Sequence, residues 1–457
     1  MSKIRKSLSP AKWSIALATG LSLVVVTPLA RADTLSELKA QIDALQKKVG
    51  ELESAQKKSD EETQRKVSEL QARDAKSTPA DVVTAGATKG SFKLPGSDTS
   101  VTLGGYVKLD AIYSDRSAGV ASQGNQFLFP SVIPVGPTAN ANATHQTTLH
   151  ARQSRLFVRT ATPTSYGDLT TLVEGDFFGA DGNESVSNSH NFRIRHAWGT
   201  LGKLSAGQYW SNFQNEAAQP ETVDFGGPVG EIFVRQAQVR WTEKFSDGEW
   251  SFSLENPESL FAVPGSATLV RADRDRVPDA VGRVRLKIGA GAYSAQVLAR
   301  NIRIDSGAPL SATDSKWGGA VGIAGVVPTF GKDEFRFDVN AGNVIGRYQE
   351  LGFFADGFLG ANRKIALAPE VSGYAAYRHY WTPTLRSSLV LSGSKANNPG
   401  GTFGGINRSA RSEHVNLIWS PMPPVNLGVE FINARRTVED GREGSLNRLQ
   451  FSGQYSF

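Results

Sequence analysis

From Val101 to the carboxy-terminus, apolar and polar positions alternate with period two. Val101, Leu103, Gly105, Val107, Leu109, Ala111 and Tyr113 form one phase of the first segment, and Thr102, Tyr106, Lys108 and Asp110 belong to the other. Val173 and Phe177 lie opposite Glu174 and Asp176, and Val239 and Trp241 lie opposite Gln238 and Arg240. Phe335, Phe337 and Val339 lie opposite Arg336 and Asp338. Successive side chains of a strand point to opposite faces, so each segment predicts a strand with one greasy and one wet face. The last, Leu446–Phe457, ends on an aromatic residue, its Leu449, Phe451, Tyr455 and Phe457 alternating with Arg448, Gln450, Ser452, Gln454 and Ser456. A bare edge strand invites aggregation, whereas a last strand that zips to the first leaves no edge.

The connections alternate as well. Short turns occur at 163–167, 201–203, 328–332, 381–383 and 421–424, and long polar stretches near 114–149, 179–191, 258–279, 303–316, 347–365 and 394–412. Short turns at one end and long loops at the other mark an outer-membrane barrel. The predicted fold is all-β, a transmembrane antiparallel β-barrel of about sixteen strands over 97–457, preceded by a coiled-coil helix. A soluble sandwich would also alternate, but its wet phase would not need so many strand arginines. An arginine facing lipid at the bilayer midplane costs about 2–4 kcal/mol, so these side chains need water or counter-charge. Trp198, Trp210, Trp241, Trp250, Trp317, Trp381 and Trp419 fall near strand ends, where an interfacial girdle would use them.

Before the barrel the period changes. Leu35, Leu38, Ile42, Leu45, Val49 and Leu52 step by three and four, which is a heptad seam. Residues 33–72 are expected to form a coiled coil, its helical heptad segment from Leu35 to about Leu70 reaching roughly 50 Å at about 1.5 Å per residue. The seam implies self-association and leaves the number of strands open. Residues 73–96, punctuated by Pro79, Gly86, Gly90, Pro95 and Gly96, form a linker. Residues 1–32 combine Lys3, Arg5, Lys6 and Lys12, an apolar run and an Ala30-Arg31-Ala32 site, the pattern of a secretory signal peptide.

Charge changes the picture only after that peptide is set aside. The chain has 50 Lys and Arg against 44 Asp and Glu. Residues 1–32 carry five of the basic ones and no acidic ones, leaving 45 against 44. A near-neutral exported chain is not a nucleic-acid binder. The absence of cysteine excludes a disulfide framework, a thiol nucleophile and Cys-ligated zinc. Histidines beside serines (His150 and Ser154, His190 and Ser189, His414 and Ser412) sit in no catalytic motif, and Asp181-Gly182-Asn183-Glu184 lacks the rest of a calcium-loop spacing. No enzymatic activity, metal or cofactor is expected.

The wet phase holds the candidate chemistry. Arg155, Arg159, Arg193, Arg195, Arg240, Arg283 and Arg285 recur on early and middle strands and predict a basic wall along a pore. Residues 213–233 carry Glu221 and Asp224 among turn residues and predict an inward constriction loop facing that wall. Guanidinium forks suit carboxylates and phosphates, so small anionic solutes are the expected cargo. A general pore with solvated lumen arginines, and a structural tether acting through the coiled coil, are the competing readings.

Five short motifs then carry a resemblance: Gly90-Ser91-Phe92-Lys93-Leu94-Pro95-Gly96, Leu103-Gly104-Gly105-Tyr106-Val107-Lys108-Leu109-Asp110, Ala151-Arg152-Gln153-Ser154-Arg155, Gly207-Gln208-Tyr209-Trp210-Ser211-Asn212-Phe213, and the terminal Phe457. With the coiled-coil prefix, their order resembles the DcaP-like trimeric porins of the outer membrane. The resemblance covers nearly all of the chain beyond residue 32. It implies a sixteen-stranded homotrimeric barrel in outer-membrane lipid, a periplasmic coiled coil, and passive uptake of dicarboxylates and aromatic acids. It also implies that Arg155, Arg159 and Arg193 sit among the basic pore residues.

Overall fold

The computed structural model describes residues 33–76, 83–116, 123–137, 145–179, 186–272, 275–305 and 312–457. The expected signal peptide and the Asp181–Glu184 stretch lie outside them. The chain divides into two compact units, residues 1–82 and 83–457.

In the first unit, α1 spans Asp33–Lys76, 44 residues or about 65 Å of helix. It runs past the expected end at residue 72 because Ala72 to Lys76 contains no Gly or Pro to break it. Ile42, Leu45, Val49 and Leu52 are all exposed along one stripe.

In the second unit sixteen antiparallel strands close into a barrel. They are β1 (Ser100–Ser114), β2 (Gln146–His150 continued by Arg155–Thr162), β3 (Leu169–Asp176), β4 (Arg193–Leu201), β5 (Leu204–Trp210), β6 (Arg235–Phe245), β7 (Gly248–Glu255) and β8 (Asp279–Ile288). There follow β9 (Gly291–Ile304), β10 (Asp314–Pro328), β11 (Glu334–Gly342), β12 (Glu370–Tyr380), β13 (Leu385–Ala396), β14 (Asn407–Met422), β15 (Val425–Val438) and β16 (Glu443–Ser456). The last strand pairs with the first, from Tyr106 opposite Ser456 to Ser114 opposite Arg448. Phe457 completes the seam: its N–H donates to Gly105 O at 3.1 Å, and its carbonyl accepts from Gly105 N at 3.2 Å.

The turns at one end are tight. Gly202 (φ +60°) and Gly289 (φ +59°) occupy two-residue hairpins, and a positive φ there suits glycine because it lacks a Cβ. β1 begins and β16 ends at this short-turn end. The long loops fold inward at the other end. Segments 260–262 and 270–271 of one loop and 357–359 and 365–366 of another form a small four-stranded sheet. Arg300, buried in β9, holds this arrangement through ion pairs to Asp279 (3.1 Å) and Asp356.

Outward positions are apolar and exposed: Leu109, Leu149, Val173, Val239, Val297, Val321, Leu391, Val415, Phe431 and Phe451. Inward positions are not uniformly wet, as alternation alone suggests. At the long-loop end Ile302, Ile304, Ile432, Ala434 and Leu446 face inward and are buried. They pack beneath loop residues such as Leu128, Ile133, Phe261, Phe353 and Phe354, so the core sits inside the barrel there. The girdle also needs correction. Trp241, Trp250, Trp317, Trp381 and Trp419 are exposed on the outside, but Trp198 and Trp210 point into the lumen. A β-bulge at Arg195, between the pairs Glu174–His196 and Gly175–Ile194, shifts the phase of β4 and turns Trp198 inward.

Candidate functional site: an arginine-lined lumen crossed by a loop

The loop after β5, residues 211–234, leaves the wall and crosses the interior. Its backbone is pinned by inward side chains of distant strands, because a buried loop must satisfy its own polar groups. Asn212 N donates to Glu255 Oε1 at 2.8 Å. Val223 N and Asp224 N donate to the two carboxylate oxygens of Glu430 (2.9 and 3.1 Å). Lys108 Nζ donates to Val223 O at 2.8 Å, and Asn416 Nδ2 to Glu221 O at 2.8 Å. Val229 N and Gly230 N donate to Ser412 Oγ (3.2 Å) and Ser392 Oγ (2.7 Å). Arg283 Nη1 donates to Gln214 O at 2.6 Å.

The two loop acids end up away from the arginines of β2–β8. Glu221 accepts from Arg386 Nε (2.7 Å) and Nη2 (2.6 Å), with Arg378 at 3.3 Å, all on the β12–β13 wall. Burial pushes the Glu221 carboxyl up, but the Arg386 fork and then Arg378 outweigh it and hold it below the usual range. Asp224 is fully buried. It accepts from Leu128 N at 3.0 Å and Gly226 N at 2.7 Å, and it lies 3.6 Å from Arg448. The acidic loop expected to face the basic wall therefore anchors itself instead: Glu221 to β12–β13, Asp224 to β16.

The expected arginines do converge on one side of the lumen. Arg155, Arg193 and Arg195 surround two acids of β3. Arg195 reaches Glu174 (2.8 Å) and Asp176 (2.9 Å), Arg193 reaches Asp176 (2.7 Å), and Arg155 reaches Glu174 (3.5 Å). Arg159 is exposed, its guanidinium 4.7 Å from the Phe157 ring. Toward the short-turn end two hollows open. One of about 610 Å³ is lined by Thr102, Arg159, Thr170, Trp198 and Tyr209. The other, about 540 Å³, is lined by Tyr209, Glu216, Arg240, Glu249, Arg283 and Arg285. Arg285 faces Glu249 at 3.4 Å, while among the described residues Arg159, Arg240 and Arg283 make no ion pair.

Aromatic rings interleave with these cations. Arg235 lies 4.7 Å from the Trp210 ring, Arg240 5.5 Å from Trp198, and Arg193 and Arg195 5.6 and 5.5 Å from Phe225. The bulge in β4 brings Trp198 here, and period-two counting could not register it. Arg386 was legible: it shares the inward phase of β13 with Ser388 and Val390.

A closed barrel with an apolar exterior, a polar lumen and a loop folded across it is an outer-membrane porin. The family model described as DcaP outer membrane protein matches residues 21–255, and the chain belongs to that family. The outer membrane channel DcaP of Acinetobacter baumannii is similar over 82% of this chain and 100% of its own, at 24% identity and a TM-score of 0.69. The anion-selective porin from Comamonas acidovorans aligns over 79% of this chain and 100% of its own, at 13% identity and a TM-score of 0.48. OmpT of Vibrio cholerae, expressed in the outer membrane, aligns over 80% and 99%, at 10% identity and a TM-score of 0.49. No curated protein matches the chain.

Proposed function

We propose that the barrel is a passive channel that prefers small anionic solutes, with dicarboxylates and aromatic acids as the class the resemblance implies. The observation that carries this reading is the gathering of inward arginines from β2, β6 and β8 (Arg159, Arg240, Arg283 and Arg285) around two lumenal hollows, with only Arg285 paired to an acid among the described residues. A cationic lumen with low-dielectric walls raises the local concentration of anions and lowers that of cations. Guanidinium planes beside Trp198, Tyr209 and Trp210 add flat surfaces that suit a planar acid. The constriction is the 211–234 loop. Glu221 and Asp224 hold it, and Arg155, Arg159, Arg193, Arg195, Arg240, Arg283 and Arg285 set the field beside it.

A general pore is the second reading. It is favoured by Glu174 and Asp176, which neutralise part of the charge of Arg155, Arg193 and Arg195. Ion selectivity in planar bilayers separates the two, since equal passage of both ions leaves only the general pore.

The working assembly is proposed to be a homotrimer, with α1 in the periplasm as a self-associating coil. The exposed Ile42–Leu52 stripe supports self-association. The start of β1 at the short-turn end, where outer-membrane barrels face the periplasm, supports that side.

A further inference from the structure

On the outer surface, the apolar band of β13–β15 ends abruptly toward the long loops. Leu391, Val415 and Phe431 are exposed and outward, as lipid contact requires. The next outward residues are Gly393, Glu413 and Asn433, and beyond them come Lys395, Arg411 and Arg435. Arg411 pairs directly with Arg435 across the β14–β15 ladder, and both side chains lie on the outside. Like charges directly opposite in a sheet are destabilising. One nearby acid offsets them in part, at the long end of ion-pair distance. Glu443 is 4.0 Å from Arg435, Glu413 sits one outward step nearer the apolar band, and Arg411 and Lys395 make no ion pair among the described residues.

The hollow here, about 590 Å³, is floored by Gly373 and Gly393, walled by Val371, and edged by three cations, Lys395, Arg411 and Arg435, against one acid, Glu443. A Cβ at Gly393 would meet nothing nearer than Ala410 O at 3.7 Å, so the missing side chain leaves real space. The long-loop end of an outer-membrane barrel is extracellular. The hollow therefore opens at the headgroup level of the outer leaflet, just above the acyl chains that would touch Leu391, Val415 and Phe431.

We propose that this hollow binds the phosphate-bearing headgroup of an outer-leaflet glycolipid, with the Arg411 and Arg435 guanidinium groups sharing one phosphate and Lys395 adding charge. A phosphate between the two arginines turns a repulsive pair into a bidentate anion site. A second protein copy suits the site less well, because it would have to bury Lys395, Arg411 and Arg435 against matching acids of its own.

The test uses the full barrel purified in detergent and titrated with bis-phosphorylated lipid A, with the same lipid after phosphatase treatment, and with inorganic phosphate alone. Bound lipid is counted by native mass spectrometry. The variant is Arg411→Gln with Arg435→Gln; neither side chain enters the lumen. Folding is checked by heat-modifiable migration on gels, and Arg411→Lys with Arg435→Lys, which keeps the charge, is the control. Expected is retention of phosphorylated lipid by the native chain and the lysine control, and at least a tenfold loss in the glutamine variant. Equal retention by the glutamine variant overturns the proposal, and so does equal binding of the dephosphorylated lipid. Binding of inorganic phosphate that lipid A does not displace makes this a free-ion site and overturns the lipid assignment. Loss of oligomer with lipid binding unchanged assigns the face to a subunit contact and also overturns it.

Discussion

Arg159 and Arg240 offer the cleanest perturbation of the lumen. Each lines one of the two hollows, and among the described residues neither forms an ion pair, so a neutral substitution strands no carboxylate. Arg155, Arg193 and Arg195 are poorer choices, because removing them would leave Glu174 or Asp176 without compensation. For a solute passing about 8 Å away through water, one unit charge contributes about 0.5 kcal/mol. Removing both therefore costs a monovalent anion about 1 kcal/mol, or about a fivefold drop in partition, with an opposite gain for cations. Physiological salt, with a Debye length of about 8 Å, would hide much of this, so the measurement belongs near 0.01 M, where the length is about 30 Å. The assay is the reversal potential across a planar bilayer under a salt gradient, for the native chain and for Arg159→Gln with Arg240→Gln. A shift toward cations is expected, shrinking as salt rises. An unchanged reversal potential at low salt would refute the assignment of the field to these side chains.

Further expectations follow from the anchoring contacts and the wall. Arg448→Leu leaves the buried Asp224 carboxylate without its cation and should destabilise the loop by about 3–5 kcal/mol, seen as a lower unfolding temperature on heat-modifiable gels; an unchanged temperature would mean that the charge is compensated elsewhere. Glu221 has its folded pKa depressed, so its contribution to loop stability is present above the unfolded carboxylate value of about 4.3 and is lost as pH falls through the lower folded value. Conductance noise should accordingly rise in acid, and Glu221→Gln should show that noise already at neutral pH. Brominated lipids should quench single-tryptophan variants retaining Trp241, Trp317 or Trp419 and spare those retaining Trp198 or Trp210, and quenching of Trp198 would contradict the bulge in β4.

Which of these features the sequence announced depends on how local each signal was. Alternation is a property of neighbouring residues, so the strands, their turns and the closure of β16 on β1 were legible, as was the inward phase of Arg155, Arg240 and Arg283. The crossing loop was legible as a long turn-rich gap, but its partners were not. Glu430, Ser412 and Arg386 lie far along the chain from it, and only the closed barrel brings them together. The same distance explains why Glu221 and Asp224 were expected to face the wrong wall. Trp198 was misplaced because one extra residue at the bulge inverts every later position of β4, which composition does not record. The apolar inward positions Ile302, Ile432 and Leu446 broke the wet-lumen rule because the long loops tuck inside and need a core of their own.

The proposed anion preference of this outer-membrane channel rests on the arginines of its lumen. The most direct test is single-channel recording of the full chain in planar bilayers with a potassium chloride gradient at low salt. Stepwise conductance is expected, with a chloride-over-potassium preference that weakens as salt is raised. No conductance, or a preference for potassium, would contradict it.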